Sequence, residues 1–159
     1  MAMRIALVVM LLGALDATRA EDAFGAWRVT PIRSTAAYSD LVAVRFEPHA
    51  KGEVFTLDRV DRAGRSTTSS TILYFDGRAR DLEDAGCSGT QSSRRIDSQT
   101  VEILRTCADG RRVRMLRKLA PPRELVLEIT DEQPDGRRME RRLVLKRQSD
   151  AGAGRAAGF

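Results

Sequence analysis

The chain has 159 residues, with 27 basic and 22 acidic side chains, a net charge of +5 and an aromatic content of 5%. This length suits one domain with a single core. Acidic residues interrupt the basic ones along almost the whole chain. The sequence therefore lacks the extended basic surface of a nucleic-acid-binding protein, and no nucleic-acid partner is predicted.

Residues 1–20 have the pattern of a secretory signal peptide. Arg4 supplies the positive charge, the apolar run 5–15 is too short to span a bilayer, and small residues at Thr18 and Ala20 precede a cleavage site. The alternative interpretation is an uncleaved membrane anchor. No later stretch is apolar enough to span a bilayer, so the sequence predicts a periplasmic or secreted protein with no stable membrane anchor.

Cleavage before Glu21 leaves one folded domain, predicted over 21–148. The final segment, 149–159, is rich in glycine and alanine and shows no hydrophobic periodicity. That composition predicts a disordered tail.

Turn dipeptides recur along the domain at a nearly constant spacing. Turns about every twelve residues are typical of an antiparallel meander. One step is much longer than the others and contains Cys87. The dipeptides end at Gly52, Gly64, Gly77, Gly110, Pro122 and Gly136, which lie 12, 13, 33, 12 and 14 residues apart.

The segments between these turns alternate apolar and polar residues, which favours strands over helices. Two short stretches, 34–41 and 78–85, are interpreted as one or two helical turns. Short turns between strands predict an all-β fold, a single antiparallel eight-stranded up-and-down barrel, with a two-sheet β-sandwich as the alternative. The predicted strands are 25–30, 41–48, 53–60, 67–76, 100–107, 111–118, 124–131 and 138–146.

The two cysteines, Cys87 and Cys107, are predicted to form one disulfide bond, because export places them in an oxidising compartment. The bond would attach the loop of the long step to the rim of the barrel. A redox pair usually has closer spacing, and a zinc site needs further ligands, so neither is favoured.

No residue pattern predicts catalysis. His49 is the only histidine and lies in a turn sequence, so it is interpreted as a solvent-exposed residue. The chain has no phosphate-binding loop, nucleotide fingerprint or metal-ligand spacing. We therefore predict no catalytic residue, no metal site and no cofactor, and the sequence does not indicate an enzyme.

Gly25-Ala26-Trp27 resembles the Gly-x-Trp motif of the lipocalins and the wider calycin barrels. The resemblance implies that Trp27 lies at the closed end of a barrel. It also implies that an arginine of the last strand, Arg141 or Arg142, packs over the indole ring.

Further short motifs resemble small exported bacterial lipocalin-like proteins, a largely uncharacterised family. The resemblance covers most of 24–147 and implies a lipocalin-like barrel. The residues that carry it are Trp27 with Pro31 and Ser34, Phe75-Asp76-Gly77, Arg95-Ile96-Asp97 and Thr100-Val101-Glu102.

Two functions are compatible with such a barrel. An eight-stranded barrel has room for one small ligand, so the first hypothesis is an exported module that binds a small apolar ligand. The second is a protein-interaction role. A small single-disulfide barrel is similar to bacterial metalloprotease inhibitors of the lipocalin-like type, which implies a periplasmic hydrolase inhibitor that inserts residues 21–24. The candidate ligand-lining residues are Trp27, Phe46, Phe55, Leu57, Tyr74 and Leu127.

Overall fold

The computed structural model describes residues 23–30, 33–34, 40–84, 86–120 and 124–148. The predicted signal peptide, residues 21–22, Pro31, most of the predicted helical stretch 34–41, Pro121-Pro122 and the tail lie outside them. The strands in chain order are β1 (Gly25–Val29), β2 (Leu41–His49), β3 (Gly52–Val60), β4 (Ser66–Leu73), β5 (Arg80–Asp84), β6 (Cys87–Arg95), β7 (Thr100–Cys107), β8 (Arg112–Ala120), β9 (Glu124–Glu132) and β10 (Arg138–Arg147).

The ten strands form a single antiparallel sheet that curls into a nearly closed barrel. Their order is β4-β3-β2-β1-β10-β9-β8-β7-β6-β5, so β1 and β10 are neighbours as the fourth and fifth strands of the sheet. Only β4 and β5, the two edges, lack a backbone ladder between them; we call this gap the seam. One continuous sheet means that the all-β barrel prediction is confirmed and the two-sheet sandwich is wrong.

The predicted number of eight strands is wrong, because the long step between turns contains a further hairpin, β5–β6. In β6, the polar residues Gln91 and Ser93 and the side-chain-free Gly89 occupy positions where the other strands carry apolar side chains. These strands therefore lack the apolar alternation by which the others are found. The helical interpretation of 78–85 is also wrong, because Arg80–Asp84 in this stretch forms the strand β5. In the described part of the chain, no helix is long and apolar enough to cross a membrane.

Alternate residues of each strand point into the barrel, as the pleat requires. The pairing register places Phe46 opposite Phe55 and Leu127 opposite Leu143, and all four side chains are buried. The turns β3–β4, β5–β6, β7–β8 and β9–β10 lie together at one end of the barrel, which we call the cavity end. The opposite end, which holds Trp27, is the packed end.

We expect Gly89→Ala to destabilise the barrel by about 2–3 kcal/mol, since overpacking a filled site costs about that much. A Cβ at this position would lie 2.1 Å from the Thr106 carbonyl oxygen, which belongs to the neighbouring strand. Gly136→Ala is the matched control: its Cβ meets nothing, and only its φ of +83° opposes alanine. That control should cost about 1 kcal/mol. Urea unfolding of both variants tests this, and an equal cost at the two sites would contradict it.

Candidate ligand-binding site

The packed end is filled by aromatic side chains. Trp27 is 1% exposed, and Phe46 and Phe55 are fully buried with their rings stacked 5.1 Å apart. The indole Nε1 of Trp27 donates a hydrogen bond to the carbonyl oxygen of Ala23 at 3.0 Å. Ala23 is itself buried, so the chain just before β1 contacts Trp27 at this end of the barrel.

The arginine that covers Trp27 is Arg147, whose guanidinium carbon lies 4.9 Å from the ring centroid. It belongs to the last strand, as the resemblance implied, but the choice of Arg141 or Arg142 is wrong. The register explains the difference, since Arg147 is the direct partner of Trp27 in the β1–β10 ladder. Arg141 instead lines the cavity end, and Arg142 is exposed.

A buried ion-pair cluster lies beside this aromatic layer. Glu53 on β3 accepts hydrogen bonds from Arg117 on β8 and, at 3.1 Å, from Arg95 on β6. The Arg117 guanidinium also lies 4.5 Å from the Phe46 ring, and that of Arg95 lies 4.3 Å from the Phe75 ring. These contacts place a paired charge cluster at the packed end, in which only the Nε of Arg117, among the atoms of Glu53 and Arg117, is buried without a hydrogen-bond partner.

The cavity end, by contrast, contains an open pocket of about 350 Å³ inside the barrel. Its inner wall is apolar, and its outer part carries arginine and aspartate side chains. This volume falls within the range of small-ligand sites. The apolar wall consists of Leu41, Leu57, Val113, Met115, Leu127 and Ile129, and the charged lining of Asp40, Arg59, Asp61, Arg105, Arg111, Asp131 and Arg141.

A polar network joins the two edges of the seam beside this cavity, and Arg105 is the member of the network that lines it. Arg105 on β7 donates to Asp84 on β5 at 2.6 Å and to Gln91 at 2.9 Å. Gln91 in turn donates to Thr71 on β4 at 3.0 Å. Burial alone would raise the pKa of Asp84, but hydrogen bonds from Ser69 and Arg105 and the positive charge of Arg105 outweigh it and lower the pKa. Asp84 is therefore held as a carboxylate.

The disulfide between Cys87 and Cys107 is present, with an S–S distance of 2.03 Å, and the prediction of the bond is confirmed. The expectation that the bond attaches a loop to the rim is wrong, because Cys87 belongs to a strand. The disulfide joins the start of β6 to the end of β7, two strands that are already paired. Cys87 lines the cavity, and Leu82 packs against the bond in a small separate apolar cluster.

The six side chains predicted to line a ligand site lie in three different places. Leu57 and Leu127 line the cavity. Trp27, Phe46 and Phe55 belong to the filled packed end, described above. Tyr74 lies at the seam, beside a shallow groove of about 290 Å³ where the Arg80 guanidinium covers its ring at 3.9 Å.

Sequence reasoning missed the charged mouth and much of the apolar wall. Met115 and Ile129 stand opposite each other in the β8–β9 ladder, and the alternation of β8 carries the signal that identifies Met115 as inward. His49 is exposed at the end of β2, where its Nδ1 accepts a hydrogen bond from the Lys51 amide at 3.2 Å. Among the described residues, no group of histidine, cysteine, aspartate or glutamate side chains is arranged to hold a metal ion.

Comparison with known proteins identifies the architecture. No protein-family model and no curated protein sequence matches the chain. Solved structures do match. A Schistosoma mansoni fatty acid binding protein in complex with arachidonic acid aligns with 80% of this chain and 97% of its own, at 10% identity and a TM-score of 0.53. The chain has a fatty-acid-binding-protein-like fold.

A second group of similar structures belongs to the fluorescent protein UnaG. One variant aligns with 82% of this chain and 99% of its own, at 13% identity and a TM-score of 0.55. The wild-type protein aligns with 80% of this chain at 12% identity and a TM-score of 0.53. Identities this low establish the fold alone.

Proposed function

We propose that this chain is an exported binding module that takes up one small, largely apolar ligand in the cavity at the cavity end. The observation that carries the proposal is the open volume of about 350 Å³ above a filled packed end. A barrel that served only as a scaffold would have no reason to keep a pocket of this size beside apolar side chains such as Leu57 and Met115. The arachidonic acid bound by one structural neighbour supports the same use of the interior.

Export is the second part of the proposal. It rests on the signal-peptide pattern of residues 1–20, and the Cys87–Cys107 bond supports it because disulfides persist in oxidising compartments. The expressed protein should be recovered from the periplasm or medium with Glu21 as its first residue by mass spectrometry. Recovery of an uncleaved, membrane-attached chain would contradict this part.

The ligand site is tested with N-phenyl-1-naphthylamine, an uncharged dye that fluoresces in apolar surroundings. The mature protein should bind it saturably with a stoichiometry near one. Met115→Trp fills the cavity and should weaken dye binding at least about tenfold. Leu116, the next residue of β8, lines a groove on the outside of the barrel, so Leu116→Trp should leave dye binding unchanged.

Circular dichroism should show that both variants keep the wild-type strand content. Absence of saturable dye binding by the wild-type protein would overturn the proposed function. Equal binding by the wild-type protein and Met115→Trp would show that the dye binds outside this cavity, and would also overturn it.

A further inference from the structure

The cavity ends on a layer of buried side chains, which we call the floor. In three strands, the residue that lines the cavity is followed, at the next inward position towards the packed end, by a side chain of the buried interior. Successive inward positions of a strand are two residues apart, so the floor lies one step below the cavity wall. The pairs, with the wall residue first, are Leu57 and Phe55 on β3, Met115 and Arg117 on β8, and Leu127 and Leu125 on β9.

Phe55 is the aromatic member of the floor, and its ring is held from behind. It is fully buried and stacks on Phe46, with 5.1 Å between the ring centroids and 6° between the ring planes. The guanidinium carbon of Arg117 lies 4.5 Å from the centroid of the Phe46 ring, and Glu53 accepts a hydrogen bond from Arg117. A ring packed this closely has no free space behind it into which it could move when a ligand enters.

The floor leaves a cavity of limited depth. Asp61, in the charged outer part of the lining, follows Leu57 by four residues. A strand rises about 3.3 Å per residue and barrel strands tilt by about 40°, so Leu57 lies about 10 Å below Asp61 along the barrel axis. An extended twelve-carbon chain is about 14 Å long on ordinary carbon–carbon bond geometry. Such a chain would leave its last carbons in water.

We propose that Phe55 is a specificity-determining residue, which restricts the cavity to apolar ligands about eight to ten carbons long. The inference rests on the proposed function and adds the size class of the ligand. Each buried methylene raises affinity about fourfold, whereas a methylene left in water adds nothing. Affinity should therefore rise with chain length only until the chain fills the distance between the floor and the mouth.

The probes are uncharged 1-alkanols, so that the comparison concerns chain length alone. Their affinities for the mature protein are measured by displacement of N-phenyl-1-naphthylamine. Wild-type protein should bind 1-octanol about fifteenfold more tightly than 1-hexanol, because two further methylenes are buried. It should bind 1-dodecanol at most about threefold more tightly than 1-decanol, since the added methylenes remain in water.

Phe55→Ala should extend the cavity, because the groups around a deleted core side chain relax only partly. The floor then drops by one inward step, which is about 5 Å along the barrel axis or about four methylenes. This variant should bind 1-dodecanol at least about tenfold more tightly than 1-decanol.

The matched control is Leu73→Ala, which also removes a fully buried side chain of the core. Leu73 stands opposite Glu53 in the β3–β4 ladder, one inward step further from the cavity than Phe55. This control should keep the wild-type dependence on chain length. Leu57→Phe is the converse change: it places a ring within the cavity wall, so the gain in affinity should stop at 1-octanol.

The outcomes separate this inference from the proposed function. A gain of about fifteenfold from 1-decanol to 1-dodecanol in wild-type protein would overturn the inference alone, because the cavity still binds the alkanols. The same dependence on chain length in wild-type protein and Phe55→Ala, or an equal change in Leu73→Ala, would also overturn it. Absence of both dye and alkanol binding would overturn the proposed function. If Phe55→Ala does not fold, Leu57→Phe decides, and an unchanged dependence on chain length then overturns the inference.

Discussion

Replacing Glu53 by alanine is expected to lower the free energy of unfolding by about 3–5 kcal/mol, the largest effect of any single change considered for this barrel. Glu53 and Arg117 are 1% and 2% exposed, and they belong to opposite walls, since four strands separate β3 from β8 in the sheet. The variant leaves Arg117 as a buried guanidinium without its carboxylate. Arg95 is 42% exposed on its side chain and can turn towards water instead.

The measurement is urea unfolding at neutral pH, with Glu47→Ala as the control. Glu47 is exposed on the neighbouring strand β2, so Glu47→Ala should lower the free energy of unfolding by less than about 0.5 kcal/mol. The double variant Glu53→Leu/Arg117→Met removes both charges and should recover most of the lost stability, because an apolar pair avoids the desolvation penalty. A cost below about 1 kcal/mol for Glu53→Ala would show that Arg117 is satisfied by other groups.

This ion pair also shows why sequence reasoning reached the fold more readily than the interior. Alternation along β3 places Phe55, Leu57 and Arg59 on one face, and the structure has the same face inward. Extending that face by one step reaches Glu53. A charged residue in phase with apolar ones was therefore visible, but its partner on β8 was not, since pairing across the barrel depends on closure and leaves no local pattern.

The hairpin β5–β6 was missed for a different reason, which is the composition of its strands. The inward side chains of β6 include the polar Gln91 and Ser93, which belong to the seam region, and β5 adds a single buried apolar residue, Leu82. An alternation rule therefore finds too few apolar residues to identify either strand. The cavity was missed for a third reason. Periodicity identifies Phe55 and Leu57 equally as inward, yet only the three-dimensional packing shows that the first is stacked in the packed end and the second borders open space.

Loss of the disulfide is expected to cost about 3 kcal/mol of unfolding free energy, because the bond closes a loop of about 20 residues in the unfolded chain. The effect should be concentrated at the cavity mouth. Cys87 begins β6 next to the seam, and Arg111 donates a hydrogen bond to the adjacent Gly86 carbonyl. β5 has no other strand to pair with, so freeing the start of β6 weakens the whole edge hairpin.

Cys87→Ser/Cys107→Ser and reduced wild-type protein should therefore both unfold at lower urea than the oxidised protein, and dithiothreitol should not affect the double variant. Hydrogen exchange should show faster opening of β5 and of the first residues of β6, while β2 and β3 change only with global stability. A uniform increase across all strands would mean that the bond acts only on the unfolded chain. A loss below about 1 kcal/mol would mean that the β6–β7 ladder holds this edge without it. In that case the seam network of Arg105, Asp84 and Gln91 becomes the main restraint on the mouth of the cavity.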